Sequence, residues 1–312
     1  MFPIKIAIIG LGTVGYSLYK LIRENNYSNI EIVSLCDIDE NTPIYKKDSK
    51  VFCTDYRKAI DSDADIIIEL IGGENPAYKI IKTSIENSKN IITANKSLLA
   101  KKGKSLFNTA KKYNQIIKYE AAVGGAIPII SNLKELKKID KIISITGILN
   151  GTTNYILTKM YRKNISYKNA LELAQKNGFA EKDPTLDVSG RDTLYKTILL
   201  VFTAFNRWLD PSQIQYEGIT QLVDSDIKYL KKSNRKPKLI GSIEKKDDNE
   251  LDVKVSVKEI DRYSDFFNID NEYNGINIYA DNFNSLFFAG KGAGGFPTAT
   301  SVLKNIIEFQ NQ

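Results

Sequence analysis

Between Gly178 and Lys196 the chain reads GFAEKDPTLDVSGRDTLYK. Three carboxylates in it, Glu181, Asp183 and Asp187, have no evident structural use among the turn formers Gly178, Pro184 and Gly190. A helix is expected to start near Ser189 or Gly190 and to run through the apolar stretch ILLVFTAF. On it, Asp192 and Lys196 stand four residues apart and share a face. Such pairs are most often exposed, but the turns that follow are too apolar for a solvated face. Lys196 is therefore read as entering a buried helix. The chain contains no histidine, so an acid–base step near neutral pH falls to a carboxylate, a tyrosine, a cysteine or a lysine.

A second group of residues points to a nucleotide. The apolar run Ile4 to Ile9 reads as a buried parallel strand. It ends in Gly10-Leu11-Gly12-Thr13-Val14-Gly15, and helical character follows from Tyr16 to Ile22. Glycines alone mark plain turns. Between a strand and a helix they let the backbone approach a pyrophosphate, which the helix N-terminus receives with unpaired N–H donors. Asp37, after a second strand at Ile30 to Leu35, lies roughly ~20 residues on, where an acid would accept from both ribose hydroxyls of NAD. The alternative is an acidic loop, since Asp39 and Glu40 follow. No arginine lies close behind Asp37, so NAD is expected over NADP.

The elements that must hold these residues alternate. Strands are expected at Ala64 to Ile71, Asn90 to Thr93 and Gln115 to Tyr119, with helices near 76–88 and 97–113. That pattern is an α/β fold, a Rossmann-type doubly wound parallel sheet, with ligands at the carboxyl ends of its strands. Gly72-Gly73, the run Thr93-Ala94-Asn95-Lys96, and Glu120 stand at such ends. Lys96 is either a surface lysine or a cofactor or substrate contact. The turn Val123-Gly124-Gly125-Ala126-Ile127-Pro128 feeds a helix near 128–138; its carbonyls suit a monovalent cation, or it is a tight domain crossing.

The texture then changes. A strand at Lys141 to Leu149 leads into Asn150-Gly151-Thr152-Thr153-Asn154, a cap-rich helix start. Ser166 is the expected N-cap of a helix over 167–177 that Gly178 closes. A helical region at 220–232 is followed by strands at Leu239 to Glu244, Leu251 to Ile260, Gly275 to Tyr279 and Asn284 to Ala289, with a hairpin turn at 247–249. This describes a second, α+β domain with a mostly antiparallel sheet. The boundaries expected are 1–130 plus 298–312 for the dinucleotide-binding domain and 131–297 for the catalytic and dimerisation domain.

Other function classes fit less well. The net charge is +7, but lysine pairs such as Lys101–Lys102 and Lys231–Lys232 form no stripe interleaved with aromatics, so nucleic acid is not an expected partner. Cys36 and Cys53 make no CxxC, and without histidine no metal-ligand cluster is evident. The chain shows no signal peptide and no apolar run of transmembrane length, and a cytoplasmic protein away from membranes is expected.

Taken in order, GLGTVG (10–15), TANKSLLA (93–100), YEAAVGGAIPII (119–130), GILNGTTNYIL (147–157), GFAEKDPTLDVSG (178–190), Asp192 with Lys196, and GAGGFPTATSVL (292–303) resemble homoserine dehydrogenase across nearly the whole chain. NGTTNYIL and AEKDPTLDVSGRD with its following lysine are the specific signals. The resemblance implies reversible hydride transfer between L-homoserine and L-aspartate 4-semialdehyde with NAD or NADP, in the route to threonine, isoleucine and methionine. It makes Lys196 the general acid/base and Glu181 and Asp192 the carboxylates that hold homoserine. Asn150, Gly151 and Thr152 are further substrate contacts, and Lys96 lies near the nicotinamide and substrate. It implies cofactor contacts at Gly10, Gly12, Thr13, Val14, Gly15, Asp37, Gly72, Thr93 and Gly292, and a structural sodium site at Glu120, Val123, Gly125 and Ile127. Gly178 and Glu181 match a loop that closes on the catalytic region. A homodimer through the second domain's sheet is implied as well. Ile38 stands where many NADP-using relatives carry a basic residue. The chain stops soon after the PTAT helix, so neither an aspartate-kinase half, nor an ACT domain, nor threonine feedback through one, is expected.

Two other classes compete. An aldehyde dehydrogenase working through a thiohemiacetal needs a cysteine nucleophile and usually a histidine; Cys36 lies inside the nucleotide fold and Cys53 has no base nearby in sequence. A non-catalytic NAD(P)-binding sensor would keep GLGTVG but has no need of Asp192 with Lys196.

Overall fold

Six short parallel strands, β1 (Ile4–Ile9), β2 (Ile30–Cys36), β3 (Phe52–Cys53), β4 (Ile66–Glu69), β5 (Asn90–Thr93) and β6 (Ile117–Lys118), form the first sheet in the order β3-β2-β1-β4-β5-β6. The structure is a computed structural model and describes residues 3–45, 47–247 and 250–310. Ile6, Ile8, Ile66, Ile67 and Ile68 are fully buried, as a parallel sheet covered on both faces requires. Helices α1 (Thr13–Glu24), α2 (Tyr56–Ile60), α3 (Ala77–Glu86) and α4 (Lys96–Lys112) connect the strands. The order reverses at β1, between β2 and β4, and at such a switch point a doubly wound sheet opens a crevice. The two-residue β3 and five-residue α2 were not anticipated, being too short to show periodicity. β4 and β6 are shorter than the segments read as strands.

The chain divides into two compact units, Met1–Ala126 with Gly294–Gln312, and Ile127–Ala293. The late return to the first unit is α11 (Gly295–Gln310), which buries Ala299, Val302, Leu303 and Ile306 in a core shared with Leu18 and Ile22 of α1.

The second unit holds α5 (Ile129–Ile139), β7 (Ile142–Ile148), α6 (Gly151–Lys163), α7 (Tyr167–Lys176), α8 (Thr185–Val188) and α9 (Arg191–Phe205). It continues with β8 (Gln215–Tyr216), α10 (Asp224–Lys232), β9 (Arg235–Lys245), β10 (Leu251–Asp261), β11 (Tyr273–Ala280) and β12 (Asn284–Lys291). Its sheet runs β12-β11-β7-β9-β10-β8, antiparallel except for β10 with β8. Of the turn expected at 247–249, Asp248 and Asn249 lie outside the described residues; the flanking β9 and β10 are antiparallel partners. The Ser166 side chain accepts from Asn169 N at the head of α7.

Two close approaches position the functional helices. In the first unit, a Cβ on Gly15 would sit 2.0 Å from the Gly10 carbonyl oxygen, so α1 meets the strand end only through glycine. In the second, a Cβ on Gly218 would sit 2.0 Å from the Val188 carbonyl oxygen, and Gly190, at φ +84°, starts α9 against Glu217. Replacing Gly15 with alanine is expected to destabilise the protein by about 1–3 kcal/mol through forced displacement of α1. An unchanged urea midpoint would contradict this packing.

Candidate active site

The second unit brings a charged cluster into its interior. Lys196, on the second turn of α9, is 6% exposed, and Asp192, on the first, is 2% exposed. Their side chains pair at 2.8 Å. Lys196 Nζ also donates to the Leu149 carbonyl at the end of β7, at 2.7 Å. An ammonium has three N–H donors, so the third remains for a further oxygen. The helix comes this close because β9 carries Gly241, where a Cβ would lie 2.3 Å from Thr197 Oγ1.

Asn150 joins the cluster from the start of α6. Its Nδ2 donates to Asp192 Oδ2 at 2.8 Å and to Asp187 Oδ1 at 2.7 Å, while its Oδ1 accepts from Thr153 N at 2.8 Å as the helix N-cap. One amide thus caps a helix and holds two carboxylates side by side. Asn154, one turn on, fixes α6 to the sheet: its Nδ2 donates to the Ile269 and Tyr273 carbonyls at 3.0 and 2.9 Å. Gly151 lies where a Cβ would meet the Glu272 carbonyl oxygen at 2.7 Å. Thr152 Oγ1 donates to the Phe179 carbonyl at 2.6 Å and so ties down the loop after Gly178.

Burial, reinforced by the neighbouring Asp192 charge, raises the Asp187 carboxyl above the ordinary 3.8. Asp187 is a carboxylate without a structural use in the sequence and is not among the expected site residues. Its spacing on the one-turn helix α8 gave no periodic signal. Asp183 does have a structural use: its Oδ1 accepts from Thr185 N and Oγ1 at 3.1 and 2.6 Å, which holds its carboxyl below the usual range. Glu181 is exposed, and its backbone carbonyl accepts from Gln175 Nε2 at 3.1 Å. Among the described residues, Glu181 joins no hydrogen bond of the Asp187–Asp192–Lys196 cluster.

In the first unit the glycine loop Gly10, Gly12 and Gly15 leads to Thr13 and Val14 at the head of α1. Gly10 has φ +99° and passes against Leu70, where a Cβ would lie 2.7 Å from the backbone. Asp37 Oδ2 accepts from Leu11 N at 2.6 Å and Oδ1 from Asp39 N at 3.0 Å. The carboxylate thus braces the glycine loop while standing at the end of β2. Beside it opens a cleft of about 240 Å³ lined in part by Ile9, Asp37, Ile38, Tyr56 and Gly72.

Glu69, not among the residues expected at a site, organises the next strand ends. It is fully buried, and burial raises its carboxyl although four donors favour the charged form. Oε1 accepts from Ile71 N and Gly72 N at 3.0 and 3.2 Å, and Oε2 from Thr93 Oγ1 at 2.6 Å. Asn95 Nδ2 donates to the Gly73 carbonyl at 2.7 Å, and its Oδ1 caps α4 at Leu98 N. Lys96, half-buried, is the first residue of that helix. Glu69 could have been noticed as the one acid ending an otherwise apolar strand.

Of the residues expected at a sodium site, Glu120 is 1% exposed and pairs with Lys304 at 3.1 Å. The Gly125 carbonyl accepts from Ser301 Oγ at 2.5 Å, and Val123 N donates to the Glu120 carbonyl at 3.3 Å. Ile127 belongs to the second unit. Among the described residues no group of three or more His, Cys, Asp or Glu side chains could hold a metal ion. Gly292 lies directly on the buried Asn274 amide, where a Cβ would be 2.0 Å from its carbon. No helix among the described residues is long and apolar enough to cross a membrane.

A doubly wound sheet with a glycine loop at its switch point, together with a unit that buries a lysine against carboxylates, defines a nicotinamide-dependent oxidoreductase. Residues 128–307 match the family model described as homoserine dehydrogenase, and residues 10–120 match that of the homoserine dehydrogenase NAD binding domain. The chain is 36% identical over 317 aligned positions to a homoserine dehydrogenase of Neisseria gonorrhoeae, covering 99% of this chain and 73% of that one. It is 32% identical to a homoserine dehydrogenase of Methanocaldococcus jannaschii, covering 98% of each. The solved structure of a homoserine dehydrogenase from Thiobacillus denitrificans superposes with a TM-score of 0.93 at 32% identity, over 98% of this chain and 73% of that one. The chain belongs to the homoserine dehydrogenase family.

The raised Asp187 carboxyl has a consequence for stability. As pH rises from the ordinary 3.8 through its higher folded pKa, the native state loses stability, because the unfolded chain ionises that group more easily. Asp187→Asn is therefore expected to raise the urea midpoint at neutral pH, with the gain fading as pH falls below the ordinary carboxylate range. A lower midpoint at neutral pH would contradict this.

Proposed function

We propose that this chain interconverts L-homoserine and L-aspartate 4-semialdehyde with Lys196 as general acid/base. The observation that carries the proposal is the cluster of buried Lys196, Asp192 and Asn150 with the half-buried Asp187 at its side. Bound NAD or NADP would supply the hydride acceptor and, in the reduced form, the hydride donor. The first unit fits such a group: at Gly12 a Cβ would meet nothing, which leaves room for a pyrophosphate at the head of α1, while Gly10 and Gly15 let loop and helix pack closely and Thr13 and Val14 stand in its first turn. Asp37 would face the ribose, while Gly72, Thr93 and Lys96 line the strand ends toward the nicotinamide. Gly292 is proposed as a late contact.

Lys196 performs the proton step. In the reducing direction its third N–H donates to the aldehyde oxygen as hydride reaches the carbonyl carbon; in oxidation Nζ takes the hydroxyl proton. Asp192 and the Leu149 carbonyl hold Nζ in place. The substrate's ammonium goes to carboxylates, and Asp187 beside Asp192 supplies two that Asn150 keeps together. Thr152 and Gly151 shape the floor at the start of α6. Glu181, exposed on the loop after Gly178, is proposed to reach the ammonium when that loop closes.

A sodium ion fits less well. One carboxylate with backbone carbonyls is a hard donor set, but the Lys304 ammonium already neutralises Glu120, so no step is assigned to an ion. The assembly proposed is a homodimer through the second unit's sheet, in the cytoplasm.

The test is absorbance of the reduced nicotinamide with L-homoserine at alkaline pH, NAD and NADP in parallel. Oxidation of the alcohol by a nicotinamide releases a proton, so oxidation is expected to quicken toward alkaline pH. NAD is expected to be reduced faster than NADP, since Ile38, 91% exposed beyond Asp37, offers no charge to a 2′-phosphate. Reduction of neither, by folded protein, would contradict the proposal.

A further inference from the structure

The chain's two cysteines, distant in sequence, end neighbouring strands. Cys36 closes β2 and Cys53 closes β3, and the parallel register sets them opposite one another. Opposed residues on adjacent strands project to the same face. The two thiols are free, and Cys53 Sγ lies 3.7 Å from Ser34 Oγ on that face. Strands in a sheet lie ~4.8 Å apart, within the ~4.4–6.8 Å between Cα atoms that a disulfide spans.

We propose that Cys36 and Cys53 are a thiol switch, oxidised by a hydroperoxide to a reversible cross-strand disulfide that weakens dinucleotide binding in the first unit. The thiols have distinct parts to play. The neighbouring Cys36 thiol, with Ser34 and Lys58 nearby, brings the Cys53 thiol down to about 6, and this thiol is partly exposed. Cys53 in turn, then burial, holds the Cys36 thiol well above its ordinary range. Cys53 is the attacking thiolate and Cys36 the resolving thiol.

In the first step Cys53 sulfur attacks one peroxide oxygen. The O–O bond breaks, a sulfenic acid forms, and hydroxide leaves to become water. Cys36 sulfur then attacks the sulfenic sulfur, and the S–O bond breaks. The departing hydroxide takes the Cys36 proton. Two thiols and one hydroperoxide give one disulfide and two waters, or water and an alcohol when the peroxide is organic.

The link to the cofactor is short. Cys36 lines the cleft with Asp37, Ile38, Thr54, Tyr56 and Gly72. Asp37 N donates to the Cys53 carbonyl at 3.2 Å, and its carboxylate braces the glycine loop. β3 is a two-residue edge strand, whereas β2 is held between β1 and β3. Drawing the sulfurs to ~2.05 Å therefore moves Cys53, and with it Thr54 to Tyr56 on the cleft wall. A thiol reductant would reverse the link by thiol–disulfide exchange. The inference rests on reading this cleft as the dinucleotide site.

The test treats the full, reduced chain with hydrogen peroxide, then unfolds it in an alkylating reagent. Both thiols are expected to become unalkylatable, with a Cys36–Cys53 linked peptide by mass spectrometry and recovery with dithiothreitol. Oxidised protein is expected to bind NAD about fivefold or more weakly than reduced protein. Cys53→Ser is expected to bind NAD normally and to lose the response. Absence of the intrachain link, or a link that leaves NAD affinity unchanged, overturns the switch. Failure of the reduced protein to bind NAD or NADP overturns it too, and is recognised as failure of the dinucleotide reading because it precedes oxidation.

Discussion

A lysine buried on an apolar helix is the constraint around which the second unit is arranged. Removing one partner from a buried ion pair costs about 3–5 kcal/mol, so Lys196 at 6% exposure requires Asp192 and a carbonyl at fixed distances. Asp192 is four residues away on the same helix, which is the only help local sequence gives. The carbonyl is that of Leu149, at the end of β7, and reaching it forces α9 onto the sheet. Gly241 permits that approach, while Gly190 and Gly218 set the elbow before it. The same strand end continues into Asn150, whose amide holds Asp187 against Asp192. Burial, and the buried Asp192 carboxylate kept beside it, raise the half-buried Asp187 carboxyl, a cost that an ammonium ligand would relieve.

The first unit solves a related problem with one buried acid. Glu69, fully buried, gathers Ile71 N, Gly72 N and Thr93 Oγ1, and so ties the ends of β4 and β5 together. Asp37 does the same for the glycine loop through Leu11 N. In the first unit, therefore, carboxylates at strand ends hold backbone in place, whereas in the second the carboxylates of α8 and α9 are themselves held by the Asn150 amide and Lys196. Preorganisation of this kind is where electrostatic catalysis draws most of its effect.

Much of this was legible in the residues. The strand–glycine–helix unit at Ile4 to Ile22, the alternation after it, and the Asp192–Lys196 spacing rest on local periodicity, which sequence carries directly. The cap at Asn150 was legible too, but its bridging of two acids was not, because that depends on where α8 and α9 sit. Asp187 carries no sequence signal because its one-turn helix has no period, whereas Glu69 is marked only by being the acid at the end of an apolar strand. Asp183 went the other way, since its contact with Thr185 is local and could have been read as a turn. The short β3 and α2 carried no pattern, yet they bring Cys53 beside Cys36.

The central claim is that Lys196 moves the proton. The direct measurement is turnover of L-aspartate 4-semialdehyde with reduced nicotinamide by Lys196→Ala, alongside cofactor binding by the same protein. The account expects turnover to fall by roughly 10²–10⁴ while cofactor affinity stays close to that of the unaltered chain. Turnover unchanged in protein that still binds cofactor would contradict it.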